Sequence, residues 1–577
     1  MVRMSVSKRS LRARAFGPHV ARLRGLFHVA IHPRELVSAR RAALALAREH
    51  PGIARDLSAY ERTDGRHVLI ISLSDDAQQV RLEAVLAKAL QLRGARVSIL
   101  TWRSALRARA LFRRLAIGGL VFYDDYAPAS GHGTEAADAV QTARGVRDVL
   151  RFEYKGARVG RQALSTVVRA RHEPRVDLES AETRRALRNT IEYAIDGVER
   201  AARILDSTRP DQLLLVERGY AGFGSIFDVA LQRDIPVVQF QAAHRDDAFQ
   251  LKRYVVETRD QHPRSLDEKT WRLLLEDGLT KQREQALEQE LAARSEGKWF
   301  MARRLRHASG RRGPDALRRE LQLDPERKVA VLFSHVLWDA SMFYGTDLYS
   351  DQGRWFSETV RLAAEDDSVQ WLIKLHPALY WKLRSDGVAS EASELAMIRE
   401  TVGTLPRHMR LIHPDDDVDN TDLFRIVDAG VTIRGTIGLE LPQLGIPVLT
   451  AGTSDYAGRG FTVDADSIEQ YERNVRSIGG LERLSEDQVR IAKLYAYGIF
   501  CVRPWRFTSF ALEYLPIGEA GDTLEHTLRY VVRTFDELEA AGDLESFARW
   551  VLESNDADYV DERELAKAGA EVQRTPT

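Results

Sequence analysis

The sequence predicts an α/β protein: two Rossmann-like, doubly wound domains facing a cleft, with a helical connector between them and a helical C-terminal tail. Three observations lead there. Apolar, strand-like runs alternate with helical segments twice, within residues 61–258 and again within 326–485. The intervening 259–325 is rich in Glu, Arg, Leu and Ala, has few β-branched residues and reads as helix. A chain of 577 residues is also too long for one ordinary core, so two such halves suit its length.

Each element follows from its own pattern. "HVLIISLS" (67–74) is a continuous apolar run, as expected of a parallel strand buried on both faces. The helical stretch Ala77–Leu92 follows and stops at Arg93-Gly94. "RVSILTW" (96–102) and "LAIGGLVFY" (115–123) are the next strands, and a long charged helical region fills 135–206, broken by Pro174. "DQLLLVERGY" (211–220), a helix through Leu231 and "IPVVQFQ" (235–241) complete the first half. In the second half the strands are "KVAVLFSHV" (328–336), "VQWLIKLHP" (369–377), "HMRLIHP" (408–414), "AGVTIRG" (429–435) and "IPVLTAG" (446–452). Helices near 354–366, 392–404, 421–428 and 436–445 separate them, and 486–577 reads as a helical tail.

Composition narrows the chemistry. The 84 basic and 84 acidic residues cancel, which argues against nucleic acid as a partner. A single cysteine, Cys501, excludes an internal disulfide framework and any multi-cysteine metal site. No apolar run approaches the roughly 18–20 residues a spanning helix needs, so a cytoplasmic protein is expected. Residues 1–60 read as an extension whose first fifty residues are strongly basic, with Leu11, Phe16, Val20, Leu23, Leu26 and Phe27 between the charges. Such a segment suits peripheral contact with the anionic cytoplasmic face of an inner membrane. Its plainer reading is a solvated or poorly ordered extension.

Several stretches carry groups suited to binding an anion. In "WLIKLHPAL", Lys374, His376 and Pro377 stand at the carboxyl end of a strand, where open α/β sheets bind ligands. In "RGTIGLELP", Arg434, Gly435 and Thr436 lead into a helix, with Thr436 as its expected N-cap and Glu440 a turn later. Gly435 and Gly438 would let the backbone approach a ligand, and Pro442 implies a short or bent helix. "SDYAGRGFTVD" offers Tyr456 and Phe461 on a loop whose Gly458 and Gly460 imply unusual backbone angles. His335, Trp338 and Asp339 follow the first strand of the second half, and Glu217, His244, Asp246 and Asp247 occupy strand ends in the first. Each has a structural alternative: a strand-ending proline, a tight turn, a buried aromatic, a satisfied histidine. "HPDDDVDN" (413–420) invites a metal reading, but a polar loop entering a helix capped near Thr421 is preferred.

Taken in order, "VLFSHVLWDASMFY", "WLIKLHP", "RGTIGLELPQLGIPVL" and "DYAGRGFTVD" resemble the C-terminal half of bacterial capsule and surface polysaccharide biosynthesis proteins. These are GT-B glycosyltransferases related to Kdo transferases, more distantly similar to CMP-sialic acid transferases. The resemblance covers roughly residues 328–475, with weaker support from "ERGYAGFGSIFDVALQRDIPVVQ" (217–239). It implies a donor domain at 326–485 in which His376 of the His-Pro motif, Gly435 and Thr436 hold the donor phosphate and Glu440 contacts ribose. Lys374 and Arg434 would add charge. It also implies an acceptor domain at 61–258, where Glu217-Arg218-Gly219 is the nearest match to the acidic pair that carries the base; the second position here is arginine.

The expected activity is transfer of a sugar from a nucleotide-activated donor, with CMP favoured, to a growing polysaccharide or glycolipid. Glu217 would deprotonate the acceptor, and Lys374, His376 and the helix terminus would stabilise the departing phosphate. No cofactor is implied, the nucleotide-sugar being a co-substrate, and no metal. The rivals are a nucleotide-sugar epimerase, a CDP-glycerol glycerophosphotransferase, and a non-catalytic partner in polysaccharide export.

Overall fold

The computed structural model describes residues 33–127, 131–295, 299, 313–342, 344–388, 391–416, 418–517 and 523–568. The chain divides into two compact units. The first contains residues up to 167, 179–259 and 504–559; the second contains 168–178, 260–503 and the residues from 560.

Six strands of the first unit come from its N-terminal part: β1 (His67–Ile71), β2 (Arg96–Thr101), β3 (Leu120–Phe122), β4 (Gln212–Leu215), β5 (Val237–Ala242) and β6 (Ala248–Tyr254). All five residues of β1 are buried, which is why its sequence is apolar without alternation. β1 to β5 are parallel in the spatial order β5-β4-β1-β2-β3, so the chain reverses direction across the sheet between β1 and β4. β6, which the sequence pattern does not announce, runs antiparallel to β5. Charge hides it: Lys252 is fully buried against Asp558 at 2.9 Å, and buried Arg253 donates to Gln212 and to the carbonyls of Trp550 and Val551.

The second unit holds β7 (Val329–Phe333), β8 (Gln370–Lys374), β9 (Met409–Ile412), β10 (Ala429–Thr432) and β11 (Val448–Thr450). They form an all-parallel sheet in the order β11-β10-β7-β8-β9, reversing between β7 and β10. The doubly wound α/β architecture expected for both halves is present. In such sheets the ligand crevice lies beyond the strand carboxyl ends at the reversal. That singles out the loops after β1 and β4 in one unit, and after β7 and β10 in the other.

Three boundaries differ from the sequence reading. The connector does not stand apart: Leu266, Trp271, Leu274 and Leu287 pack with Tyr495, Ala496, Ile499 and Phe500 in one core of the second unit. The tail is not all helical. Residues after 503 return to the first unit, adding β12 (Pro504–Arg506) antiparallel to β6, then the hairpin β13 (Phe510–Ile517) with β14 (Thr523–Tyr530) and the helix Gly542–Glu553. Trp505, Phe507 and Phe510 gather around Phe249 there and Phe547 packs on Trp505, burying aromatic surface that an isolated helix would leave in water. Nor is 1–60 wholly an extension. The helix Pro33–Glu49 buries Ala39, Ala43, Leu46 and Ala47 and packs on the helix Leu106–Arg114. The rest of the basic segment expected at the membrane, residues 1–32, lies outside the described residues. Among the described residues no helix is long and apolar enough to cross a membrane.

Candidate functional site

At the reversal in the second unit, three loops leave adjacent strands: 334–345 after β7, 375–377 after β8 and 433–436 after β10. Ser334 joins the first two. Its amide donates to the Lys374 carbonyl at 3.0 Å, and its hydroxyl accepts from the His376 amide at 2.8 Å. His376 is thus held at the strand end, half-buried. Its Nδ1 accepts from the Ala378 amide at 3.1 Å, which places the ring proton on Nε2. Burial, together with His335, Lys382 and Lys374, pushes the imidazole down to about 3, so near neutral pH His376 is an uncharged donor.

His335 lies beside it, the ring centroids 6.2 Å apart. Burial drives this second histidine down to about 4, opposed by its bond with the Val336 carbonyl and reinforced by Lys382 and Arg434. The rest of its loop is clamped. Trp338 is buried, and buried Asp339 is paired with Lys382 and with Arg169 at 3.2 Å. Arg169 also reaches Asp386 at 2.7 Å. Ala340 and Met342 sit at φ 53° and 74°, a conformation that non-glycine residues adopt only when their surroundings impose it.

Arg434 is the most telling residue of the third loop. It is 6% exposed, and its Nη2 donates to Asp347 Oδ1 at 2.6 Å. Its Nε and Nη1 are buried with no hydrogen-bond partner among the described residues. Orphaned guanidinium nitrogens are costly and point to an acceptor that completes them. A guanidinium with N–H groups still lacking an acceptor suits an oxyanion such as phosphate or carboxylate.

The Gly435–Gly438 turn departs from the capped helix expected. The helix is one turn, Ile437–Glu440, continuing into a 3-10 turn at Pro442–Leu444; Pro442 keeps it short. Thr436 has helical angles and makes no side-chain cap. Gly438 serves packing: a Cβ there would lie 2.0 Å from the Tyr456 hydroxyl, which itself donates to the Gly435 carbonyl at 2.7 Å. Tyr456 and Phe461 are therefore core residues that pin the turn from beneath, while Gly458 and Gly460 take the positive φ expected of them. Glu440 is buried at 6% exposure and already partnered, which argues against its reaching a ribose at the surface.

Lys374 also differs from its expected role. It is buried, and its ammonium donates to the Val418 carbonyl at 2.8 Å, tying β8 to the loop after β9. Nor do Lys374 and His376 flank the Gly435 turn directly, because β7 lies between β8 and β10. In the 413–420 loop, Asp419 caps the helix Asn420–Leu423 by accepting from the Thr421 amide.

In the first unit, Glu217 is half-buried at the reversal itself, after β4. Its Oε1 accepts from the amides of Arg218 at 2.6 Å and Gly219 at 2.9 Å, shaping its own turn. Arg218 is buried over Tyr254 and Phe227 and donates to the Arg259 carbonyl, so it is a packing residue. His244, Asp246 and Asp247 belong to the turn between β5 and β6, where Arg245 holds Asp247 through two bonds. Sequence reasoning missed Asp347, the partner that orients Arg434, and the buried acid Glu83 near the end of β1. Neither carries a local motif, and only the fold brings them to these edges.

No protein-family model and no curated protein matches the sequence. Among solved structures, the chain is similar to the Thermosulfurimonas dismutans KpsC beta Kdo 2,4 transferase (15% identity, 57% of this chain and 86% of that one, TM-score 0.31). It is also similar to the UDP-GlcNAc 2-epimerase from Neisseria meningitidis bound to UDP-GlcNAc (12% identity, 74% and 97%, TM-score 0.23). A third is the Spinosyn Rhamnosyltransferase SpnG (14% identity, 75% and 95%, TM-score 0.23).

Proposed function

We propose that this chain is a GT-B glycosyltransferase that moves a sugar from a nucleotide-activated donor, CMP-linked by preference, to a growing capsular or surface polysaccharide or glycolipid. The observation that carries the reading is Arg434, whose buried Nε and Nη1 await an oxyanion at the reversal of the second sheet. In this reading Arg434, the His376 Nε2–H and the amides of Thr436 and Ile437 receive the phosphate and stabilise the charge it gains as the glycosidic bond breaks. His335 lines the same site. Lys374 contributes its field from behind the strand end, and no step is assigned to a metal. The preference for CMP rests on the resemblance around His376. Glu217 is the proposed acceptor of the hydroxyl proton in an inverting transfer.

The test is thermal stabilisation by CMP, CDP, UDP and GDP for wild type, His376→Ala and Arg434→Met. A nucleotide at about 100 times its Kd stabilises by about 2.7 kcal/mol. One nucleotide is expected to raise the Tm of wild type, with the shift lost in both variants. No response from any nucleotide would sink the transferase reading. Turnover of a nucleotide-sugar without a saccharide acceptor would replace it with an epimerase.

A further inference from the structure

The helix Pro33–Glu49 packs on the helix Leu106–Arg114, and both are rich in exposed arginine. The buried stripe Ala39, Ala43, Leu46 and Ala47 faces the partner helix. The opposite face carries Arg34, Arg41 and Arg48 at seven-residue spacing, all exposed. Val37 stands among them at 46% exposure. On the second helix, Leu106, Ala108, Leu111 and Phe112 are buried while Arg107, Arg113 and Arg114 are exposed. Residues 33–49 and 101–119 together hold nine arginines, no lysine and two acids, Glu35 and Glu49; one of the nine, Arg103, is paired with Asp125 at 2.5 Å. This stands against a chain whose total charge is zero. The arginines are close enough to repel: Arg109 is pushed down by burial and further by Arg113, Arg103 and Arg40, with Asp124 pulling the other way.

We propose that the exposed arginines of these two packed helices dock the first unit on an anionic lipid membrane. A solvated helix face needs no such one-sided charge, and concentrating like charges costs free energy unless a counter-surface repays it. Arginine-only charge with an exposed valine among it suits a headgroup layer, which offers phosphates at its surface and an apolar boundary beneath. The proposal goes beyond the glycosyl-transfer reading and does not depend on it, since it concerns vesicle binding without nucleotide.

The test is co-sedimentation of the full chain with phosphatidylcholine vesicles that contain or lack phosphatidylglycerol, at low and physiological salt. Each arginine near an anionic surface contributes about fivefold in partition, so Arg107→Gln/Arg113→Gln/Arg114→Gln is expected to weaken binding about a hundredfold. Its Tm should stay that of wild type. A full-length Arg9→Gln/Arg12→Gln/Arg14→Gln variant separates the preceding basic segment and should keep most of the binding. Equal binding to neutral vesicles, wild-type binding by the helix variant, or loss confined to the Arg9/Arg12/Arg14 variant would overturn the proposal. So would a preference for nucleic acid over anionic vesicles.

Discussion

Glu83 offers a perturbation whose size follows from the structure. It lies on the helix Ala77–Leu92 with no exposed surface; Oε1 accepts from Gln79 Nε2 at 2.8 Å, and Oε2 has no hydrogen-bond partner among the described residues. Burial pushes its carboxyl up to about 8 from an ordinary 4.5, although Ser72 and Gln79 pull the other way. Below pH 4.5 the folded and unfolded states both hold the proton, and the group contributes nothing. As pH rises further, the unfolded state releases its proton while the folded state retains it, so stability falls until the folded carboxyl also ionises near pH 8. The slope is about 1.4 kcal/mol per pH unit, giving about 3 kcal/mol by pH 7 and at most about 5 kcal/mol by pH 8. Glu83→Gln keeps the shape and removes the titration. Hydrogen exchange read on peptides spanning 67–92 reports the opening free energy of this region without requiring both units to unfold together. The variant's advantage over wild type should widen steadily from pH 5 to pH 8. A constant offset across that range, or one that narrows, would show that Glu83 is ionised in the folded protein and refute the reasoning.

His376, pushed down to about 3, should show no imidazole titration above pH 5 by NMR. Because its folded value lies below the ordinary 6.5, its contribution to stability is present above pH 6.5 and declines as pH falls below that. Tyr456→Phe removes the bond to the Gly435 carbonyl and should cost about 1 kcal/mol in urea unfolding of the second unit. Gly438→Ala should cost more, since its Cβ would overlap the Tyr456 hydroxyl; combined with Tyr456→Phe, the two costs should fall short of their sum. Trp505 is 1% exposed and donates to the Asp543 carbonyl at 2.8 Å, so Trp505→Ala should destabilise the first unit by about 3–5 kcal/mol. Unchanged thermal unfolding would mean that the C-terminal segment is not part of that core.

Much of the architecture was legible because burial on both faces writes a parallel strand as an unbroken apolar run. β1 and β7 are such runs, and β2, β4, β5, β8, β10 and β11 are mostly apolar; the edge strand β9, half-buried at Arg410 and Leu411, is not. The residues at their carboxyl ends, His376 and Arg434 among them, could be named for the same reason. β6 was not legible, since Lys252 and Arg253 are held by partners far away in sequence, among them Asp558 and Trp550 about 300 residues on. Gly438 was misread as room for a ligand because the ring that fills it, Tyr456, arrives from another loop.

The sequence by itself determined two α/β alternations, the strands that carry them and the short turn at Pro442. Strand order belonged to the tertiary structure: β7 lies between β8 and β10, which brings His335 beside His376 and within the field of Arg434. The fold also turned Lys374 toward Val418, paired Arg434 with Asp347 on one nitrogen only, and brought residues 504–559 back to the first unit. Local periodicity records how each segment is buried. Which segments bury one another is a long-range choice made by shape, charge and hydrogen bonding across the folded chain.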